Sequence, residues 1–497
     1  MSRSREDCDR YKPTSRLTLT EYQPAAPHGT TKYDWNPPPG PELRDFDPDL
    51  EVPEHEQVQL EIVEIISGGT NSRAQVLKCK IIKSRAWKNY HDHAPIPSQE
   101  SIVVAKVFDH KLWPSDYGAP IKNIELNDGA LCRESCAYKH LFRREMTGYP
   151  HTIAQYYGTW AVKFVVRNVE GETCYRTVGL ILMEYIDGFS IEDLCDRDEY
   201  DVLVPDDKQP IIFYQSDGDH QVTLDINHDV RMEVLRQFLG DSVKHMHVGL
   251  MCGVIEPENI LITMRHGTED LERPRVVELG LSLAQLWSKT RSGKRPGHSV
   301  HCHELTPFPP HPMERFSTIA LTSLVGWFPQ EWADEGMKSQ AGARSDNQFK
   351  AWLIDTFGPL EGNPRYSSFK TMRRLIEKKK NIMAALEKGP VLVQERDCPR
   401  VLRKGADFIP TARLQYMTVM GAREEAWASS DSPDEFEDED ICNKGGSVGE
   451  EFGLQMDLDH QPVLGELDET AAKQLKPNNE NSKVKKRKNN KRKGKRG

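Results

Sequence analysis

Lys106 is the one charged residue in the run Ser101–Phe108 (SIVVAKVF), which otherwise reads as a continuous apolar strand. An ammonium in such a run is costly to bury unless an anion meets it, so its chemistry is that of an anion or phosphate contact. A second position lies in the helical stretch ALCRESCAYKHLFRRE. There Glu134, Ala137, Tyr138 and Leu141 recur at the spacing of one helix face. An exposed surface glutamate would satisfy the same spacing. Gly68 and Gly69 stand in a turn, where the missing side chain lets backbone N–H groups approach a phosphate closely. An ordinary hairpin turn uses the same residues. His298, His301, Cys302, His303 and His311 gather among prolines. These are zinc-ligand types, but H-x2-H-C-H matches no recognised zinc spacing. Cys132 and Cys136, four apart on the helical stretch, read as core-facing.

The elements that must position these groups follow from periodicity. From Val58, VQLEIVEIISGGTNSRAQVLKCKII alternates like two strands around the Gly-Gly turn. Tyr156–Trp160 and Gly179–Glu184 are expected as two further strands, with a turn around residues 168–172. Ser190–Leu194 is expected to start a helix, with Ser190 as its N-cap. Val230–Val248 is expected as a helix, with Val234, Phe238, Leu239, Val243 and Met246 on one stripe. Residues 198–228 lack a helical period and read as an insertion. SSFKTMRRLIEKKKNIMAALEKG carries a helical pattern.

One stretch resembles a known family. Pro257-Glu258-Asn259 followed by Ile260-Leu261-Ile262 is similar to the end of a protein-kinase catalytic loop running into the next strand. In that alignment Cys252 stands for the loop His and Gly253 is kept. Val254 occupies the place of the catalytic Asp, Glu256 replaces the usual Lys or Arg, and Asn259 is retained. The resemblance extends to Lys106 as the phosphate-contacting lysine, and to Glu134 as its partner on an E-x-x-A-Y-x-x-L helix similar to those of fungal kinase-like chains. Gly69, Asn71 and Ala74 fall where the family usually has three glycines. Val76 matches the valine that packs on adenine. Met183 would be the gatekeeper of a hinge whose Glu184 C=O and Ile186 N–H bond adenine. Glu278 stands where an Asp holds Mg²⁺, with Asn259 as the other metal ligand. Pro329-Gln330-Glu331 and Ser345-Asp346 fall near later family landmarks.

The resemblance implies an α+β, two-lobed protein-kinase-like fold, with a small antiparallel sheet lobe and a mostly helical lobe between disordered tails. Its expected divisions are a disordered segment at 1–55, an N-lobe at 56–187, a C-lobe at 188–420 and a disordered acidic-then-basic tail at 421–497. The missing Asp implies a pseudokinase that binds ATP, with or without Mg²⁺, weakly and acts through protein partners. A working Ser/Thr kinase, with Glu256 or Glu278 taking over a role, is the alternative. A nuclear scaffold that works through its tails is another.

Composition constrains the rest. The chain has 497 residues, 37% hydrophobic and 29% charged, enough to bury a large core while leaving polar segments outside it. No apolar run approaches the roughly 20 residues that span a bilayer, and the polar start is not that of a secretory signal. Ten cysteines without regular pairing read as reduced thiols. Residues 1–55 are rich in proline and polar residues and are expected to be disordered. The formal net charge of −10 conceals an asymmetry. Ten of the 66 Lys and Arg lie in residues 481–497, which hold no acid, so the preceding chain is strongly acidic. The basic run 483–497 fits a nuclear-import signal or a nucleic-acid contact, and a merely solubilising tail equally.

Overall fold

The computed structural model describes residues 9–24, 53, 56–69, 72–84, 92–114, 123–167, 171–206, 210–214, 221–251, 253, 255–290, 293, 301–334 and 348–387, with side chains described up to 381. All of these fall within one compact unit, Met1–Leu392. The expected disordered tail at 421–497, and Cys252, Val254, Asn71, His298, Ser345 and Asp346, lie outside the described residues.

Six antiparallel strands close into a barrel. They are β1 (Arg16–Glu21), β2 (Val58–Ser67), β3 (Gln75–Lys83), β4 (Ile102–Phe108), β5 (Tyr156–Arg167) and β6 (Thr173–Glu184), in the order β1-β2-β3-β4-β6-β5. Closure depends on β1, whose sequence RLTLTE alternates leucine with threonine. Leu19 lies opposite Val58 of β2 on one side and Val162 of β5 on the other. Leu17 and Leu19 are fully buried in the interior with Leu60, Leu77, Val103 and Leu180. The preceding turn is pinned by Tyr11, whose hydroxyl donates to buried Asp109 at 2.8 Å, and Arg176 donates to the same carboxylate at 3.0 Å.

The two-lobed kinase-like arrangement is therefore corrected. A small sheet lobe was expected to begin after residue 55, with disorder before it. Instead Arg16–Glu21 supplies the strand that satisfies the open edges of both β2 and β5. A six-residue strand in a proline-rich, polar context carries too little period to stand out. After residue 187 the described residues add nine further strands beside the helices, and β7 (Phe189–Ser190), β13 (Ile260–His266) and β14 (Glu269–Glu278) form a three-stranded sheet. Within the expected insertion, β9 (Leu203–Pro205) pairs back on the preceding β8 (Cys195–Arg197), and β10 (Ile211–Tyr214) pairs with β11 (Gln221–Leu224). The short strands β12 (Leu250–Met251) and β15 (Gln285–Leu286) pair with each other. The helix expected from Ser190 is only a 3₁₀ turn at Glu192–Leu194.

Helices are few. The main ones are α1 (Asn123–Phe142), α2 (His228–His247), α4 (Gln348–Phe357) and α5 (Phe369–Glu387), with a single turn α3 at Pro312–Arg315. Asn227 caps α2, its side chain accepting from Val230 N–H at 3.0 Å, and the expected stripe from Val234 to Met246 is buried. Packing does not divide at residue 187. One buried cluster holds Val104, Tyr138 and Met183 together with Leu250, Val277 and Leu281. Among the described residues no helix is long and apolar enough to cross a membrane.

Candidate functional site

The alternation of β4 decides where Lys106 points. Val103, Ala105 and Val107 face the barrel interior, so Val104, Lys106 and Phe108 must face outward. That outward face is covered by α1, and Val104 and Phe108 pack there with Leu126, Ala130 and Tyr138. Lys106 is thus a cation on an apolar face beneath a helix. Its cross-strand neighbours are Val76 and Ile181. Its Nζ lies 2.6 Å from Glu134 Oε1, the Glu134 side chain being fully buried and that of Lys106 18% exposed. Burial pushes the Glu134 carboxyl up, and the Lys106 ammonium opposes that shift.

A cavity of about 300 Å³ opens beside this pair. Lys106, Arg73 and Arg133 bring three cations to its wall, against the single carboxylate of Glu134. Ser67, Ser72 and Ser282 add hydroxyls, and Val76, Phe108 and Trp113 give it an apolar side. Arg133 is anchored by donating from Nε to the Ser282 carbonyl at 2.9 Å. Such a cavity suits an anionic ligand that also carries an apolar or aromatic part.

The residues expected from sequence divide into two groups. Val76, Lys106, Glu134 and Asn259 line this one cavity. Gly69, Met183, Glu184, Ile186 and Glu278 are not among its described walls. Gly69 has the positive φ of +106° that favours glycine. Its N–H is spent on Gln75 Oε1 at 2.7 Å, while its carbonyl accepts from Gln75 Nε2 at 3.0 Å. A Cβ on Gly68 would stand 2.3 Å from the same Gln75 oxygen. The two glycines thus admit a clasp by Gln75.

Met183 is buried, with Sδ accepting from the Tyr138 hydroxyl at 3.7 Å. Glu184 donates its N–H to Gln155 O at 2.9 Å. Its carboxylate receives both arms of Arg275 at 2.8 and 3.0 Å. Burial would raise the Glu184 carboxyl, but the Arg275 bonds outweigh it and hold the group below its ordinary range. Ile186 packs in the same apolar cluster as Met183.

Asn259 reaches the cavity because Gly280 leaves room for it, a Cβ there coming within 2.9 Å of the amide carbon. Glu278 is one step further back, at the end of β14 opposite Ile260. Its N–H donates to Thr152 O at 2.6 Å, and its carboxylate lies 3.9 Å from Nδ1 of the buried His245. Of the expected Asn259 and Glu278 metal pair, Asn259 alone is among the described walls of this cavity. Glu256 sits at the head of the 3₁₀ turn Pro257–Asn259, its carboxyl pushed up by burial.

The sequence reading missed Arg73, Arg133 and Ser282. Arg73 beside the Gly-Gly turn and Arg133 beside Glu134 were visible as charges. Their convergence on Lys106 needs the pairing of β3 with β4 and the docking of α1. Compared with protein-family models and with curated proteins, the chain matches none of either.

Proposed function

We propose that the cavity at Lys106 binds the phosphates of a nucleotide, ATP with or without Mg²⁺, weakly, and that the chain acts through protein partners rather than by phosphoryl transfer. One observation carries this reading: three cations and one carboxylate converge on a cavity with an apolar side, and Lys106 is already held at 2.6 Å by buried Glu134. A triphosphate meets the cations, and the base lies against Val76, Phe108 and Trp113. The backbone clasp at Gly69 removes one N–H from the phosphates, which argues for modest affinity. The absence of transfer rests on Val254, which stands where the resemblance expects the proton-accepting Asp. General-base assistance contributes about 10²–10⁴-fold, and an aliphatic side chain supplies none.

ATP at millimolar concentration is expected to raise the thermal midpoint of the purified full chain saturably. Lys106→Ala should weaken that binding about tenfold, the scale of one charge-assisted contact, while unfolding stays cooperative. ADP release should stay at background in the same samples. A wild-type midpoint unmoved by millimolar ATP would overturn the binding reading, and robust turnover abolished by Lys106→Met would overturn the claim of no transfer.

A second reading, nuclear action through the tail, is favoured by ten Lys and Arg among residues 481–497. Deleting residues 483–497 from a fluorescent fusion is expected to move it from nucleus to cytoplasm. An unchanged distribution would count against this reading.

A further inference from the structure

We infer that His301, Cys302 and His303 form a site for a borderline-soft divalent cation of the zinc class. This cluster is separate from the Lys106 cavity, and the inference does not depend on how that cavity functions. The three residues stand at the start of the 3₁₀ turn Cys302–Leu305. Each offers one ligand atom, and these atoms all lie within 4.8 Å of one another. Both ring nitrogens of His301 are 3.9 Å from Cys302 Sγ, and the two imidazole centroids are 4.7 Å apart.

A second observation points to a ligand. His303 is fully buried, yet neither of its ring nitrogens has a hydrogen-bond partner. A buried imidazole normally satisfies both nitrogens, so this one is aimed at something that accepts a lone pair. Two imidazoles and a thiolate are the donor set that zinc, and cobalt as its stand-in, prefer over hard cations such as Mg²⁺.

The turn is held in place around the cluster. His301 N–H donates to Glu304 at 2.6 Å, closing a capping box. From α2, His247 Nε2 is bonded to Thr306 O at 2.9 Å. Trp287 packs its ring edge-on to His301 at 4.8 Å, which shields one side of the site from solvent. Tetrahedral bonds of about 2.0–2.3 Å set neighbouring ligand atoms about 3.3–3.7 Å apart, so side chains close inward by roughly 1 Å on binding. The long 3.3 Å bond from His303 N–H to His301 Nδ1 is the contact that yields when the metal takes Nε2 and the proton moves to Nδ1. Cys302 loses its thiol proton to solvent as the metal–sulfur bond forms. Three protein ligands leave the fourth position open to water.

The test uses the full-length chain, stripped by chelator under reducing conditions and titrated with Co²⁺. The expected result is the visible ligand-field spectrum of four-coordinate cobalt with a near-ultraviolet thiolate charge-transfer band, saturating at one equivalent and bleached by Zn²⁺. Cys302→Ser, nearly isosteric, should abolish the charge-transfer band. His303→Asn should weaken Co²⁺ binding at least tenfold. Cys136→Ser, a thiol elsewhere on α1, should leave the spectrum unchanged. No spectrum at one equivalent, or a thiolate band that survives Cys302→Ser, would overturn the inference. Should His303→Asn fail to fold, Cys302→Ser decides the matter alone.

Discussion

Glu134→Ala is expected to lower the stability of the chain by about 3 kcal/mol, measured as the midpoint of urea unfolding at neutral pH. The pair it breaks is short, 2.6 Å, and one member has no solvent access at all. Removing one partner of a buried ion pair costs about 3–5 kcal/mol, because the survivor remains as an uncompensated charge. The low end applies here, since Lys106 keeps 18% of its side-chain exposure and can draw some solvent to its ammonium. The effect should be asymmetric. Lys106→Ala strands a carboxyl that burial already pushes up, and such a group can relieve itself by taking a proton. Replacing both residues by leucine should restore much of the loss, because well-packed apolar pairs commonly match buried ion pairs. A cost below 1 kcal/mol for Glu134→Ala would mean that Lys106 is effectively solvated, and the case for an anion at this wall would weaken with it.

Acid is expected to destabilise the protein between about pH 6.5 and pH 4, with His245 as a principal cause. Burial at 1% exposure pushes this imidazole down to about 4, against an ordinary value near 6.5. Above pH 6.5 it is neutral in both folded and unfolded chains and contributes no pH dependence. Below that value the unfolded chain binds a proton that the native chain excludes, so stability falls as pH falls. The slope for one such group is about 1.4 kcal/mol per pH unit, which amounts to roughly 3 kcal/mol by pH 4. The Asp241 carboxylate pulls the other way but does not outweigh that burial. Other groups titrate in this window, so the decisive quantity is a difference. His245→Gln should lose markedly less stability than wild type between pH 7 and pH 4.5, followed by urea midpoints. Equal losses in the two proteins would remove His245 as the cause.

What the sequence by itself determined lies within single elements. An apolar strand with one lysine already dictates an anion nearby, because an isolated ammonium is too costly to bury, and Glu134 meets it. Period-two alternation around the Gly-Gly turn marked β2 and β3, and the period of the Val234–Met246 stripe marked the buried face of α2. Tertiary structure decided what depends on distant partners. The six residues of β1 carry a weak local signal, but they pair Leu19 with Val162 across more than a hundred residues, and that pairing turns an expected open sheet into a closed barrel. Local similarity to a kinase loop could not foresee this closure, since edge hydrogen bonding leaves little trace in side-chain pattern. The same limit applies to the site. Gln75 claims the Gly69 backbone, Arg275 claims Glu184, and Glu278 turns toward His245. Arg73 and Arg133 arrive beside Lys106 instead. Each of these outcomes is fixed by which side chain lies within about 3–4 Å in the folded chain, a short-range condition that only assembly of the barrel, α1 and the β13–β14 hairpin can meet.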